Sequence, residues 1–534
     1  MIAKKEKIFL GGIALFFLAV YLWFPFVTPG IFNSPDETAN YFFISRYAEN
    51  GSFVSSEPLN YFTSGALHPR SISWNGYSLV PQGFVGLPLF YGWLAKIFGL
   101  GAVIFFTPML AVLGALAFYG IVKKIFGARV AVISYVLLLV FPSFWYYASR
   151  FLYPNVPFVA LLLIAIWSAV NGALHRDGAK RYLIIFSISF AAALAIRPVE
   201  VLWILPLVSL CFYFYRENFS WHKLFYSALM MSFLAIPVLA NNLFLYGNIF
   251  GSGYTLEAAV DTGAVQSAAP AVCKICAFSP YGLHWRAIAK NINIIFIKYL
   301  WWLTASAVLG FLIAFFAKKK KEVDVYFAVA ALLSAWLVIY YGSGVFTDNP
   351  NGIITLGDSH FRYWLPIFIA IIPLTGLAAE RIIFRLRPFY KIIFGGAGLF
   401  LVLAFSIYTV IFSQDDGLLA VKNNLEKNYA VKTAVMNIVG ADGVIITGRQ
   451  DKIFFPERRV MYAQKISDPR LFFNLKKLEN KIFYIYTIGP TAEEFYTMGN
   501  IARVYGFQLK RVAIFGKEVL YKLERMDKKF AFIK

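Results

Sequence analysis

The chain has 534 residues, of which 59% are hydrophobic and only 15% charged. That composition excludes an ordinary soluble domain and predicts a chain that crosses a membrane many times. Its net charge of +22 would suggest nucleic acid in a soluble protein. Here most Lys and Arg sit in short loops between apolar runs, where membrane orientation and anionic headgroups account for them, and no nucleic-acid module is present.

The first apolar run, Ile8 to Phe24, follows Lys4, Lys5 and Lys7. It is long enough to span, and its basic flank should stay in the cytoplasm. The residues after it, Phe24-Pro25-Phe26-Val27, lack a small-residue cleavage pattern, so an uncleaved span is expected. Beyond lies Asn33–Tyr47, with Ser34-Pro35-Asp36-Glu37 at its head. Ser as N-cap, Pro at the first helical position and Glu at the third make a capping box, and acids suit a first turn. The same placement puts two carboxylates just outside the first span of an acid-poor chain. Both a capping role and a chemical role stand at this point.

A long outer stretch to about Gly83 carries His68-Pro69-Arg70 and Trp74-Asn75-Gly76-Tyr77. Phe84–Phe98 is apolar but short and broken by Gly86-Leu87-Pro88, so it should lie along the interface or dip into it rather than cross. With that choice every later basic cluster falls inside. The remaining spans are then about 102–122, 130–147, 156–173, 182–196, 199–215, 224–246, 292–317, 325–345, 364–379 and 392–413, about eleven in all. Outer turns expose Arg150 and Asn155, Arg197 and Glu200, and Gly357-Asp358-Ser359-His360-Phe361-Arg362-Tyr363.

From Gln414 hydropathy falls. Strands are expected near 443–447, 482–487 and 508–515, an edge strand at 518–522, and helices near 430–439 and 491–505. The expected division is therefore a membrane all-α bundle over 1–413 and a small extracytoplasmic α/β domain over 414–534. The latter lacks a Gly-rich phosphate loop and is expected to be structural or partner-binding. Of three cysteines, Cys211 lies inside a span. Cys273 and Cys276 form a lone Cys-x-x-Cys, which suits a local disulfide or two thiols better than zinc.

The outer-face residues each have a plain structural alternative. Arg150 and Arg197 can snorkel to headgroups, and His360 and Asp358 can serve as loop and turn residues. Ionisable groups at membrane depth are nonetheless costly and commonly functional or paired. Taken together, Pro35-Asp36-Glu37 after the first span, Arg46, His68-Pro69 before a broken segment ending Ile97-Phe98-Gly99, Ser149-Arg150 to Pro154-Asn155, and Arg362-Tyr363 through Pro366 resemble the GT-C superfamily of polyprenyl-phosphate-dependent glycosyltransferases. Protein O-mannosyltransferases and lipid A aminoarabinose transferases are the nearest likeness, over about residues 1–413. One departure is Asn155, where these families often carry an Asp; an Asn cannot act as a base.

The resemblance implies an integral plasma-membrane enzyme with an extracytoplasmic site. It would move a sugar, with inversion, from a lipid-linked phosphate donor to a glycan, lipid or protein acceptor. It implies Asp36 as base, with Glu37 as its companion or as a cap. It also implies Arg362, Arg197 and Arg150 on the phosphate, with Tyr363, His360 and His68 lining the substrate. No cofactor is fixed, and a divalent metal on Asp36 with Glu37 or His360 is left open. A flippase of lipid-linked glycans and a non-catalytic scaffold are the rival classes.

Overall fold

A computed structural model describes residues 2–174, 179–215, 220–256, 281–317, 320–346, 354–478 and 480–526. Cys273 and Cys276 lie outside the described residues. All eleven segments expected to span are helical. Among the described residues, eight helices are long and apolar enough to cross a bilayer, and ten if each of two bent pairs is one span. The eleventh, Ala179–Ile196, opens on Lys180 and Arg181, which shortens its apolar run.

Bends explain why the apolar pattern alone could not draw every helix. Ala128–Val140 and Pro142–Ser149 meet at 52°. Pro142 cannot donate to the preceding turn, so the ladder breaks there. Trp285–Tyr299 and Trp301–Phe315 meet at 91°, with Leu300 between them outside helical geometry.

The chain packs as two compact units, each built from three separate stretches. Unit 1 comprises Met1–Val27, Ala102–Pro237 and Gln266–Val421, and holds most of the apolar helices. Its helices approach closely where side chains are small. A Cβ on Gly310 would lie 1.9 Å from the Leu374 carbonyl oxygen, and one on Gly114 would lie 2.7 Å from Ala160. Small residues of this kind let apolar helices pack by backbone proximity. Buried tyrosines add polar ties: Tyr21 donates to the Leu139 carbonyl at 2.7 Å and Tyr135 to the Leu10 carbonyl at 3.1 Å.

Unit 2 comprises Thr28–Gly101, Val238–Val265 and Lys422–Lys534. The C-terminal stretch therefore does not form a compact unit alone, as the 1–413 and 414–534 division expects. It shares a unit with the stretch after the first span. Strands β1 (Ile72–Trp74) and β2 (Leu79–Pro81) make a small antiparallel ribbon. Five further strands form one mixed sheet: β3 (Val444–Thr447), β4 (Arg459–Tyr462), β5 (Phe483–Ile488), β6 (Phe507–Phe515) and β7 (Glu518–Arg525), in the order β4-β3-β5-β7-β6. Here β7 is no edge strand, because it pairs with both β5 and β6. Its consecutive buried residues Val519, Leu520 and Tyr521 reflect that interior place.

One face of the sheet, with Ile445, Val460, Tyr484 and Leu520, shares a buried cluster with Phe43, Phe53, Ile72 and Val85. The other face gathers Val444, Ile446, Phe483 and Ile485 with Leu67. Gly86–Phe98, 13 residues long, is too short to cross a bilayer. It lies against Pro35–Asn50, where a Cβ on Gly92 would sit 3.0 Å from Tyr47.

Candidate active site

In unit 1 three arginines interleave with tyrosine rings. Arg150 ends the short helix Pro142–Ser149, donates to the Tyr146 hydroxyl at 2.9 Å, and lies 4.9 Å from the centre of the Tyr153 ring. Arg362 lies over the same Tyr153 ring at 5.0 Å and over Tyr363 at 5.1 Å, and donates to the Ser359 hydroxyl at 2.8 Å. Arg197 lies over Tyr363 at 5.1 Å. Tyr363 is stacked on Tyr341 with ring centres 4.6 Å apart. Aromatic faces beneath a guanidinium attract its charge and help to hold it in place.

Arg197 is also tied to an acid. Its Nε donates to Glu200 Oε1 at 2.8 Å, and its Nη2 donates to the Tyr341 hydroxyl at 2.9 Å. Tyr341 donates onward to Glu200 Oε1 at 2.9 Å, and the Trp203 indole N–H donates to Glu200 Oε2. Burial opposes the Arg197 charge, yet Glu200, Tyr341 and Tyr363 outweigh it and raise its pKa above the ordinary arginine value. The pair is thus a buried, mutually neutralised unit. Sequence reasoning named both residues but missed their pairing, although the spacing of three was visible.

Arg197, Glu200, Arg362 and Tyr363 share a narrow cleft with Asn155, Phe158, Val159 and Pro366, too tight to hold a water molecule. Asn155 opens the helix Asn155–Leu174. Its amide nitrogen donates to the Arg362 carbonyl at 3.1 Å. Its buried Oδ1 has no hydrogen-bond partner among the described residues. An aspartate there would set a carboxylate against that carbonyl. The Asn therefore orients the Arg362 turn and presents an acceptor.

His360 is buried, with Nδ1 2.8 Å from Asp358 Oδ1 and Nε2 3.1 Å from Asn291 Nδ2. Both ring nitrogens are thus engaged within unit 1. Asp358 also caps the short helix Ser359–Tyr363 by accepting from the His360 backbone N–H at 2.8 Å.

Asp36, Glu37 and His68 belong to unit 2. The capping box is formed: Ser34 Oγ accepts from the Asp36 N–H at 3.2 Å, and Glu37 Oε2 accepts from the Ser34 N–H at 3.0 Å. Glu37 is buried in that role. Asp36 points its Oδ1 at the Ser71 hydroxyl, 2.7 Å away. His68 Nδ1 lies 2.9 Å from the Pro69 carbonyl, and the His68 carbonyl accepts from the Tyr462 N–H at 3.2 Å. Arg70 reaches Asp451, a partner 381 positions away that no local pattern reveals. Among the described residues no group of three or more His, Cys, Asp and Glu gathers as a metal site.

The sequence profile of the family described as dolichyl-phosphate-mannose-protein mannosyltransferase matches residues 87–243. No curated protein sequence matches the chain. Among solved structures, ArnT from Cupriavidus metallidurans bound to undecaprenyl phosphate superposes with a TM-score of 0.53 at 12% identity, covering 97% of this chain and 98% of that one. The archaeal oligosaccharyltransferase AglB from Archaeoglobus fulgidus, in complex with an inhibitory peptide and a dolichol-phosphate, gives 0.52 at 12% identity. That match covers 96% of this chain and 74% of AglB. The ArnT match runs well past residue 413, so the structural likeness includes the C-terminal stretch that the sequence resemblance left out. The chain is a membrane protein with the GT-C fold, the fold of ArnT and AglB.

Proposed function

We propose that the chain is a glycosyltransferase that moves a sugar from a polyprenyl-phosphate donor to an extracytoplasmic acceptor hydroxyl, with inversion. The observation that carries this is the pair of arginines, Arg150 and Arg362, gathered over the one Tyr153 ring in unit 1. The fold supports it, since ArnT has been solved with undecaprenyl phosphate bound.

Direct displacement accounts for the parts. The acceptor oxygen attacks the anomeric carbon while the bond from that carbon to the phosphate oxygen breaks. The lipid phosphate leaves with the electron pair, and guanidinium edges take up the charge in a low-dielectric site. Arg362 and Arg150, turned by ring faces, are assigned to the phosphate. Arg197, balanced by Glu200, holds the wall and contributes dipoles more than net charge. Asp36 is assigned as the base that takes the acceptor proton, a contribution of about 10²–10⁴ in rate. Glu37 keeps its capping role. The acceptor is a glycan, lipid or protein.

The test uses membranes of the source cells, with their own radiolabelled lipid-linked sugar pool as donor. Asp36→Asn should abolish transfer and leave the unfolding temperature of the purified protein unchanged. Full transfer by Asp36→Asn would remove the base from this scheme. Inversion is read from the anomeric configuration of the product.

A further inference from the structure

We infer that Ser71 is a positioning residue for Asp36, and that Asp451, which opens the short helix Asp451–Phe454 of the C-terminal stretch, holds Ser71 in the conformation this requires. The inference rests on the assignment of Asp36 as base.

Ser71 has φ +62°, in the left-handed region. Ser64 is the one other non-glycine residue with positive φ among the described residues. Glycine would relieve that backbone. A serine kept in a glycine conformation needs a reason in its side chain. The reason on hand is the 2.7 Å hydrogen bond from its hydroxyl to Asp36 Oδ1, across 35 residues. Donation to a charged oxygen is among the stronger hydrogen bonds and fixes which way the carboxylate turns.

The backbone around Ser71 is clamped on both sides. Just before it, the Arg70 N–H donates to Asp451 Oδ2 at 2.8 Å. The Arg70 side chain donates to Oδ1 of the same carboxylate from Nε at 3.0 Å and from Nη2 at 2.6 Å. Nη2 also donates to the Arg449 carbonyl at 2.7 Å. Asp451 is fully buried, so its charge leans on these contacts. The Ser71 carbonyl in turn accepts from the Gln82 N–H at 3.2 Å.

The next residue of the same short helix, Lys452, donates to the Asn33 carbonyl just ahead of the capped helix. Two consecutive residues of the C-terminal stretch therefore hold both chain segments that meet at Asp36. All of these groups lie within unit 2. The C-terminal stretch would then act on the reaction through Asp36, without touching substrate.

Ser71→Gly separates this role from a structural one. It deletes the hydroxyl and relaxes the backbone, so the protein should unfold at the same temperature or higher. Transfer in source-cell membranes, at saturating endogenous lipid-linked sugar, should nevertheless fall about tenfold to a hundredfold. Ser71→Asn tolerates a left-handed backbone and keeps a donor, so it should recover part of the rate. Asp451→Asn should lower the rate in the native background and add nothing in Ser71→Gly. Full activity of Ser71→Gly beside an inactive Asp36→Asn would overturn the positioning of Asp36 by Ser71. A full further loss from Asp451→Asn in Ser71→Gly would overturn the part given to Asp451. A fully active Asp36→Asn, or no transfer by the unaltered chain, would instead overturn the assignment beneath both.

Discussion

Arg197 and Glu200 show what folding adds to a residue already named from the sequence. Read alone, an arginine at an outer turn is a candidate for phosphate. Folded, its side chain is 9% exposed and meets a carboxylate only 4% exposed. Such a pair need not stabilise the fold relative to a packed apolar substitute, but breaking it strands a buried charge at a cost of about 3–5 kcal/mol. Glu200→Ala should therefore lower the unfolding temperature of the purified protein sharply, and Arg197→Met combined with Glu200→Leu should restore much of it. An unchanged melt in Glu200→Ala would mean that water or a neighbouring group already compensates Arg197. His360 carries a related lesson. A lone histidine near an arginine invites a substrate role, while its two filled nitrogens describe a residue that holds the Asp358 turn to the Asn291 helix.

At the scale of elements, the apolar runs were legible because bilayer thickness dictates their length. The capping box was equally plain, since four adjacent residues carry it. The break at Pro142 was readable in principle. The 91° bend at Leu300 was not, because the flanking residues include neither Pro nor Gly. Strand β4 escaped notice because four residues beginning on Arg459 give too short an alternation to count. Strand β7 was placed at an edge because its pairing on both sides is a long-range fact. The close crossing of Trp301–Phe315 with Leu365–Ile383 likewise depends on Gly310, whose missing side chain makes room for the Leu374 carbonyl. Gly310→Val would drive side-chain carbons into that backbone and should cost at least the about 1–3 kcal/mol typical of overpacked cores. Reduced yield and a lower melting temperature of purified Gly310→Val would report it, whereas Gly396→Val, with nothing within 4 Å of its added carbon, should be tolerated.

For the molecule as a whole, the distribution of Lys and Arg is the feature that sets orientation. With those clusters inside, the proposed reaction puts unit 2 on the extracytoplasmic side. Tyr77 is 77% exposed and belongs to that unit. In a chain whose three cysteines are replaced by serine, Tyr77→Cys should react with a membrane-impermeant maleimide in intact cells. Labelling only after lysis would place unit 2 in the cytosol and reverse the proposed side of the reaction. The gathering of Asp36, Ser71, Arg70 and Asp451 was invisible beforehand for a simple reason. Hydrogen bonds spanning 35 and 381 positions leave no periodic trace in a linear string.

The clusters that join Phe43, Phe53 and Ile72 to Ile445, Val460 and Leu520 also bear on how the protein is made. A ribosome releases the stretch after the first span long before it reaches the strands that complete its interior. During that interval its apolar faces wait without their mates, and the helix bearing Asp36 has neither Lys452 nor the Arg70 clamp to steady it. Growth from the N-terminus therefore cannot finish one unit before starting the next. Nascent chains would need escort at that stage, and transfer competence would arise late, only after translation has passed the last strands.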